Sequence, residues 1–187
     1  VVRRVIGLLA EGVRDGAAAR AASDYLFSER NGKVSSTLNI ISVDLSSETV
    51  VLARNNEAPF YLARGENIEC INDESKPIGT ARNIKPLITE IPIQNNLTMV
   101  IYTDGLMHAG KRRGTPMDVG TTLRGLIEEN DPSPQVVADA LLAQALHLDD
   151  NRPVDDISVV VLQVLNRHGD NVRRMSVRLP IDVKNGG

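Results

Sequence analysis

The sequence predicts an α+β fold: a four-layer α-β-β-α sandwich of two antiparallel sheets flanked by helices. Two observations predict it. A pair of helical patterns opens the chain, a run of short strands follows, and a second helical pair precedes a last apolar strand. The short segments are rich in β-branched residues and some are parted by turn residues, which is the pattern of an antiparallel meander. Sheets with an apolar face must bury it, and helix pairs on either side of the strands in the chain can cover two sheets packed face to face.

The elements follow in order. Residues 1–13 place Val2, Val5, Ile6, Leu9 and Val13 at helical spacing. "RDG" at 14–16 breaks that pattern, and a second helix runs from Ala17 to about Glu29, stopping at Asn31-Gly32. "TLNIISVDL", "TVVLAR", "FYLARG", "NIECI", "LITEIPI" and "TMVIYTD" then read as strands of the meander. Helical patterns cover roughly 118–129 and 134–147, the latter with Ser133 as N-cap and Pro134 at the first helical position. "ISVVVLQVL" is continuously apolar, which predicts a strand in a sheet covered on both sides. Residues 1–165 form one domain, and 166–187 a polar tail in which "MSVRLPI" is a candidate edge strand.

Composition narrows the function classes. The chain has 187 residues, enough for one domain with a real core, and no Trp, so Val, Ile, Leu and Ala build that core. A net charge of −3 argues against a broad nucleic-acid face, and no nucleic-acid partner is expected. Cys70 is the only cysteine, so no internal disulfide forms and a reducing, cytoplasmic compartment is expected. Alternating with Ile68, it reads as a small apolar core residue. No apolar run approaches the roughly 20 residues of a membrane span, and "VVRRVIGLL" reads as a helix rather than a leader.

The chemistry concentrates at two acidic strand ends. Asp104 follows the apolar Met99–Tyr102, and Asp155 and Asp156 precede Ile157 and the apolar run after it. If those strands are antiparallel neighbours, the acids meet at one sheet edge. Unpaired carboxylates there are expensive, and a hard divalent cation removes the penalty. Successive strand residues face opposite ways, so one of Asp155 and Asp156 is a direct ligand and the other bonds locally or faces water. Gly105 lets the chain turn close to the ion. Either motif alone is also explained as a turn residue beside a strand.

The residues also carry a resemblance. "VIYTDGL", followed some fifty residues later by "DDISVVVLQV", resembles the SpoIIE/RsbU/RsbX branch of the metal-dependent Ser/Thr protein phosphatases (PPM, type 2C-like). "KPIGTARNIKP" is similar to that family's Pro-Ile/Leu-Gly element, "LARNNEAPFYL" to its strand ending in Asn-Ala-Gly-His-Pro-Pro, and "DPSPQVVADALLAQAL" to its last helix. The resemblance covers about residues 1–165. Glu57 and Ala58 stand where the family often has His-Pro, and Met107 and His108 where many members have a Glu. Members also carry an early strand ending in Asp-Gly whose Asp bridges both metals. Here "AEGVRDG" offers only Glu11 or Asp15, and neither sits at a strand end. In register, residues 1–13 resemble the family's first helix. That places the N-terminal metal-binding strand upstream of Val1.

The resemblance implies hydrolysis of phosphoserine or phosphothreonine by two-metal activation of water, with two Mn²⁺ or Mg²⁺ ions. Asp104 and Asp155 would hold metal, Asp156 would support the strand start or take an outer position, and Gly105 would bring backbone near the site. The implied substrate is a bacterial regulatory protein, an anti-anti-sigma (STAS) domain or a stressosome component, which places the chain in sigma-factor and stress-response control. Weaker candidates are His108, as proton donor to the leaving oxygen, and Arg112 and Arg113, as phosphate or partner contacts; a surface histidine and a solvated loop are the readings base rates favour for them. Two other readings compete. One is a catalytically impaired pseudophosphatase that binds a regulatory partner. The other is a haloacid-dehalogenase-type phosphatase, faintly suggested by "YTDG", with Tyr102 where that enzyme has its nucleophilic Asp.

Overall fold

In the computed structural model, the structure describes residues 1–129 and 132–165. Helices α1 (Val2–Ala10) and α2 (Asp15–Arg30) lead into strands β1 (Leu38–Asp44), β2 (Thr49–Asn55), β3 (Phe60–Arg64), β4 (Asn67–Ile71), β5 (Leu87–Pro92) and β6 (Leu97–Tyr102). Short α3 (Asp104–His108), α4 (Val119–Glu129), α5 (Pro134–Leu148) and β7 (Val159–Val164) complete the order. α2 begins two residues earlier than the spacing predicts and keeps the acidic Asp15 in its first turn, where the helix dipole favours it. It ends at Asn31, whose left-handed φ of 50° precedes Gly32 at 73°, as the Asn-Gly pair predicts.

The strands do not form one meander. They divide into a sheet ordered β1-β2-β5 and a sheet ordered β4-β3-β6-β7, antiparallel throughout. Only the β1–β2 and β3–β4 hairpins keep meander connectivity, because the chain crosses between sheets after Asn55, after Ile71 and again after Pro92. Alternation along the strands supplies the layers. Leu97, Met99 and Ile101 of β6 join Val50, Leu52, Phe60, Leu62 and Ile91 in the core between the sheets. Val100 and Tyr102 point the other way, onto α4 and α5 through Leu123, Val137 and Leu141. Ala18, Ala19 and Ala22 of α2 pack with Val5 of α1 against Ile40 and Ala53 of the first sheet. The predicted α-β-β-α sandwich is therefore observed.

Two local expectations need correction. Cys70 is exposed rather than part of the core, because β4 is an edge strand paired only with β3. Among the described residues, β7 starts at Val159 and is also an edge strand, so its apolar run is not covered on both sides along its length: Val160 is 50% exposed, while Val161 and Leu162 are half-buried. The candidate edge strand in 166–187 lies outside the described residues.

The "KPIG" element has a packing reason. Ile78 is fully buried and bridges to Ser36, and the Gly79 N–H donates to the Ser23 hydroxyl of α2 at 3.1 Å. At its φ of 84°, a Cβ on Gly79 would lie 2.6 Å from Leu26 and 2.7 Å from the Val34 carbonyl, so only glycine fits.

Candidate metal centre

Every residue of β6 is buried, and the chain leaves this strand through Thr103 into Asp104, the first residue of α3. β7 runs antiparallel beside it, with Tyr102 opposite Val159. Thr103 extends the pairing past the strand end. Its N–H donates to the Ser158 carbonyl at 3.0 Å and its hydroxyl to the Asp156 carbonyl at 3.0 Å, while the Ser158 N–H donates back to that hydroxyl at 2.9 Å. Asp104 and the Asp155–Asp156 pair thus lie at the same sheet edge, held by one threonine side chain. Sequence reasoning gave Thr103 no role; its signal was a hydroxyl residue directly before Asp104.

Gly105 has a more specific reason to be glycine than an open turn. A Cβ there would lie 2.4 Å from the Asp156 carbonyl oxygen, so the acid-bearing segment before β7 passes directly over the start of α3.

Asp155 and Asp156 differ in their local bonding. Both precede β7 by several residues and lie in a bend and coil, so strand alternation does not govern them. Asp155 makes the local bond, its Oδ1 accepting the Asp156 N–H at 2.8 Å. Its other oxygen is free, and the carboxylates of Asp104 and Asp156 have no hydrogen-bond or ion-pair partner among the described residues. Asp104 is half-buried, and Asp155 and Asp156 are exposed. The donors are oxygen-only and uncompensated, which fits Mg²⁺ or Mn²⁺ in ligand type. Among the described residues, no group of three or more His, Cys, Asp or Glu side chains is gathered tightly enough to hold an ion by itself.

The other candidates separate from this edge or stand alone. His108 ends α3, half-buried, with no hydrogen-bond partner among the described residues. Arg112 and Arg113 lie in a 3₁₀ turn, Lys111–Arg113, and line a cavity of about 450 Å³ with Leu148, Asp149, Asp150 and Arg152. Arg113 pairs with Asp150, which commits its charge to the loop after α5. Asp15 lines a cavity with Asp44, Ser47 and Thr49 at the start of β2. Asn56, just past the other end of β2, bonds the Tyr102 carbonyl. Tyr102, at the place of a haloacid-dehalogenase nucleophile, is a buried phenol. Burial chiefly pushes its pKa far up, with the neighbouring Tyr61 adding to the shift. Tyr61 stacks on it with ring centroids 6.4 Å apart and is itself raised to about 12, mainly by burial.

Two antiparallel sheets between helix pairs are the architecture of solved PP2C-type phosphatase domains. The family model described as "Stage II sporulation protein E (SpoIIE)" matches residues 3–165, and the chain belongs to that family. It is 20% identical over 158 residues to stage II sporulation protein E of Bacillus subtilis (strain 168), covering 84% of this chain and 19% of that protein. The chain thus spans about a fifth of the length of that curated relative. Among solved structures, it is similar to the PP2C phosphatase domain with a fragment of the regulatory domain of SpoIIE from Bacillus subtilis. The TM-score is 0.75 at 17% identity, over 90% of this chain and 49% of that one. It is also similar to the catalytic domain of the serine/threonine protein phosphatase PstP in complex with 2 manganese ions. There the TM-score is 0.66 at 17% identity, over 88% of this chain and 80% of that one. No helix among the described residues is long and apolar enough to cross a membrane.

Proposed function

We propose that this domain hydrolyses phosphoserine or phosphothreonine on a regulatory protein in a reducing, cytoplasmic compartment, using Mn²⁺ or Mg²⁺ held by Asp104 and Asp155. The observation that carries the proposal is the stitched edge. Thr103 joins the backbone of the Asp104 segment to that of Asp156 and Ser158, and among the described residues the carboxylates it gathers lack a protein cation. Membership of the SpoIIE family supports the reaction class. The further choice of a STAS domain or stressosome component as substrate rests on the resemblance of the acidic motifs.

When bound, divalent ions supply Lewis-acid charge to the phosphoryl oxygens and lower the pKa of the attacking water. The chain does the holding. Asp104, at the mouth of a buried strand, and Asp155, through the oxygen its local bond leaves free, present negative charge from two segments that cannot drift apart. Asp156 contributes its main-chain carbonyl to the stitch and leaves its carboxylate to the outer sphere. No serine or cysteine nucleophile is required.

The test is Mn²⁺-dependent release of phosphate from a phosphoserine protein by the wild type, Asp104→Asn and Asp155→Asn. Each substitution is expected to lower the rate at least tenfold and weaken the Mn²⁺ dependence, with an unchanged circular-dichroism spectrum. Both carboxylates repel within an edge that holds no ion, so neither substitution should lower the melting temperature of the metal-free protein. Wild-type rates in both variants would remove the assignment.

A further inference from the structure

We propose that Asn56 is a positioning residue that fixes Asp104 from the opposite sheet, an inference that rests on the metal reading above. Asn56 is 1% exposed and lies one residue past β2, in the first sheet's chain segment. Its Nδ2 donates across the sandwich to the Tyr102 carbonyl at 2.8 Å, and its Oδ1 accepts the Ala58 N–H at 2.9 Å.

The Tyr102 carbonyl needs this partner. The Thr103 N–H points to β7, where it meets Ser158. In a trans peptide the carbonyl of the preceding residue points the other way, toward β3. Pairing between β3 and β6 runs only from Arg64↔Leu97 to Tyr61↔Val100, so β3 has stopped before it reaches Tyr102. Asn56 completes the ladder with a side chain where no strand remains. Arg54 braces the loop that carries it: this buried guanidinium donates to the carbonyls of Asn56 at 3.1 Å and Ala58 at 2.8 Å, and to that of Asp73.

The peptide that leads into Asp104 is therefore fixed on both sides, by Thr103 toward β7 and by Asn56 toward the first sheet. A carboxylate on a strand end loses its aim when that peptide can rotate, and partners beyond the direct ligands commonly set metal affinity by 10–100-fold.

Mn²⁺ titration of the whole chain, with free ion counted by electron paramagnetic resonance, tests this. Asn56→Ser keeps an oxygen able to accept from the Ala58 N–H but is too short to reach Tyr102. It is expected to weaken Mn²⁺ binding about tenfold. Asn55→Ala is the control. Asn55 is equally buried and donates to the Lys76 carbonyl at 3.0 Å, away from the Asp104 segment. It should lower the melting temperature while Mn²⁺ affinity stays within about twofold of wild type. Should Asn56→Ser not fold, Asn56→Asp carries the test, since it keeps the acceptor and sets a carboxylate oxygen against the Tyr102 carbonyl. Loss of binding in Asp104→Asn beside wild-type affinity in the folded Asn56 variant would overturn this inference alone. Unchanged binding in Asp104→Asn would overturn the metal reading and this inference together.

Discussion

At the residue scale, the site depends on Gly105, kept small for a steric reason rather than a chemical one. Alanine there would drive its Cβ to 2.4 Å from the Asp156 carbonyl, and neither backbone segment can yield without breaking the Thr103 bonds. Gly105→Ala is expected to destabilise the domain by about 1–3 kcal/mol, the range for overpacking, as read from urea denaturation midpoints. An unchanged midpoint would mean that the two segments are free to separate. The acids themselves were legible in the sequence, because a carboxylate ending or preceding an apolar run is visible without a structure. The local bond of Asp155 was not, since it depends on a bend that places both acids outside the strand. Nor was the work of Thr103 and Asn56, whose partners are 53 and 46 residues away in the chain.

Helix ends and strand edges decide what happens at the element scale. Asp118 precedes α4, and its Oδ1 accepts the Thr121 N–H at 3.0 Å while Oδ2 accepts the Thr121 hydroxyl at 2.8 Å. The Thr121 N–H is the main reason that its carboxyl is held below the ordinary carboxylate value, and the hydroxyl is the next. A folded-state pKa below the unfolded one contributes stability above the unfolded value of 3.8, and that stability disappears as pH falls through the folded value. Asp118→Ala is therefore expected to cost about 0.5–1 kcal/mol at pH 7, discounted for the exposure of the side chain, and less as pH falls through the folded value. Denaturation of both proteins from pH 7 into the acid range checks it; a difference that does not shrink on acidification would contradict the charge-assisted capping account. Ser133 shows how readily such caps are read from sequence: serine before proline announces α5, and its hydroxyl does accept the Val136 N–H, at 3.4 Å. Edge position is harder to read. Val160 and Cys70 have apolar neighbours in sequence, and only the strand order shows that, among the described residues, one side of each strand lacks a partner.

For the whole molecule, the layer order followed from the order of helical and strand patterns, because covering two apolar sheet faces leaves few arrangements. The division of strands between sheets did not. Hairpins are local, whereas the β2–β5 and β3–β6 pairings join segments separated by other strands, and nothing in residue spacing selects them. The proposed function is concentrated at one edge of one sheet. Two chain segments meet there under the control of Thr103.

The central claim is that Asp104 and Asp155 act as one metal site, and a double-mutant cycle on Mn²⁺ affinity tests it most directly. Wild type, Asp104→Asn, Asp155→Asn and the double variant would be titrated under the same conditions. If both acids hold one site, either substitution removes most of the binding and the second adds little, leaving a coupling of about 1 kcal/mol or more. Two losses that simply add, or affinities that do not change, would show that these carboxylates do not share an ion.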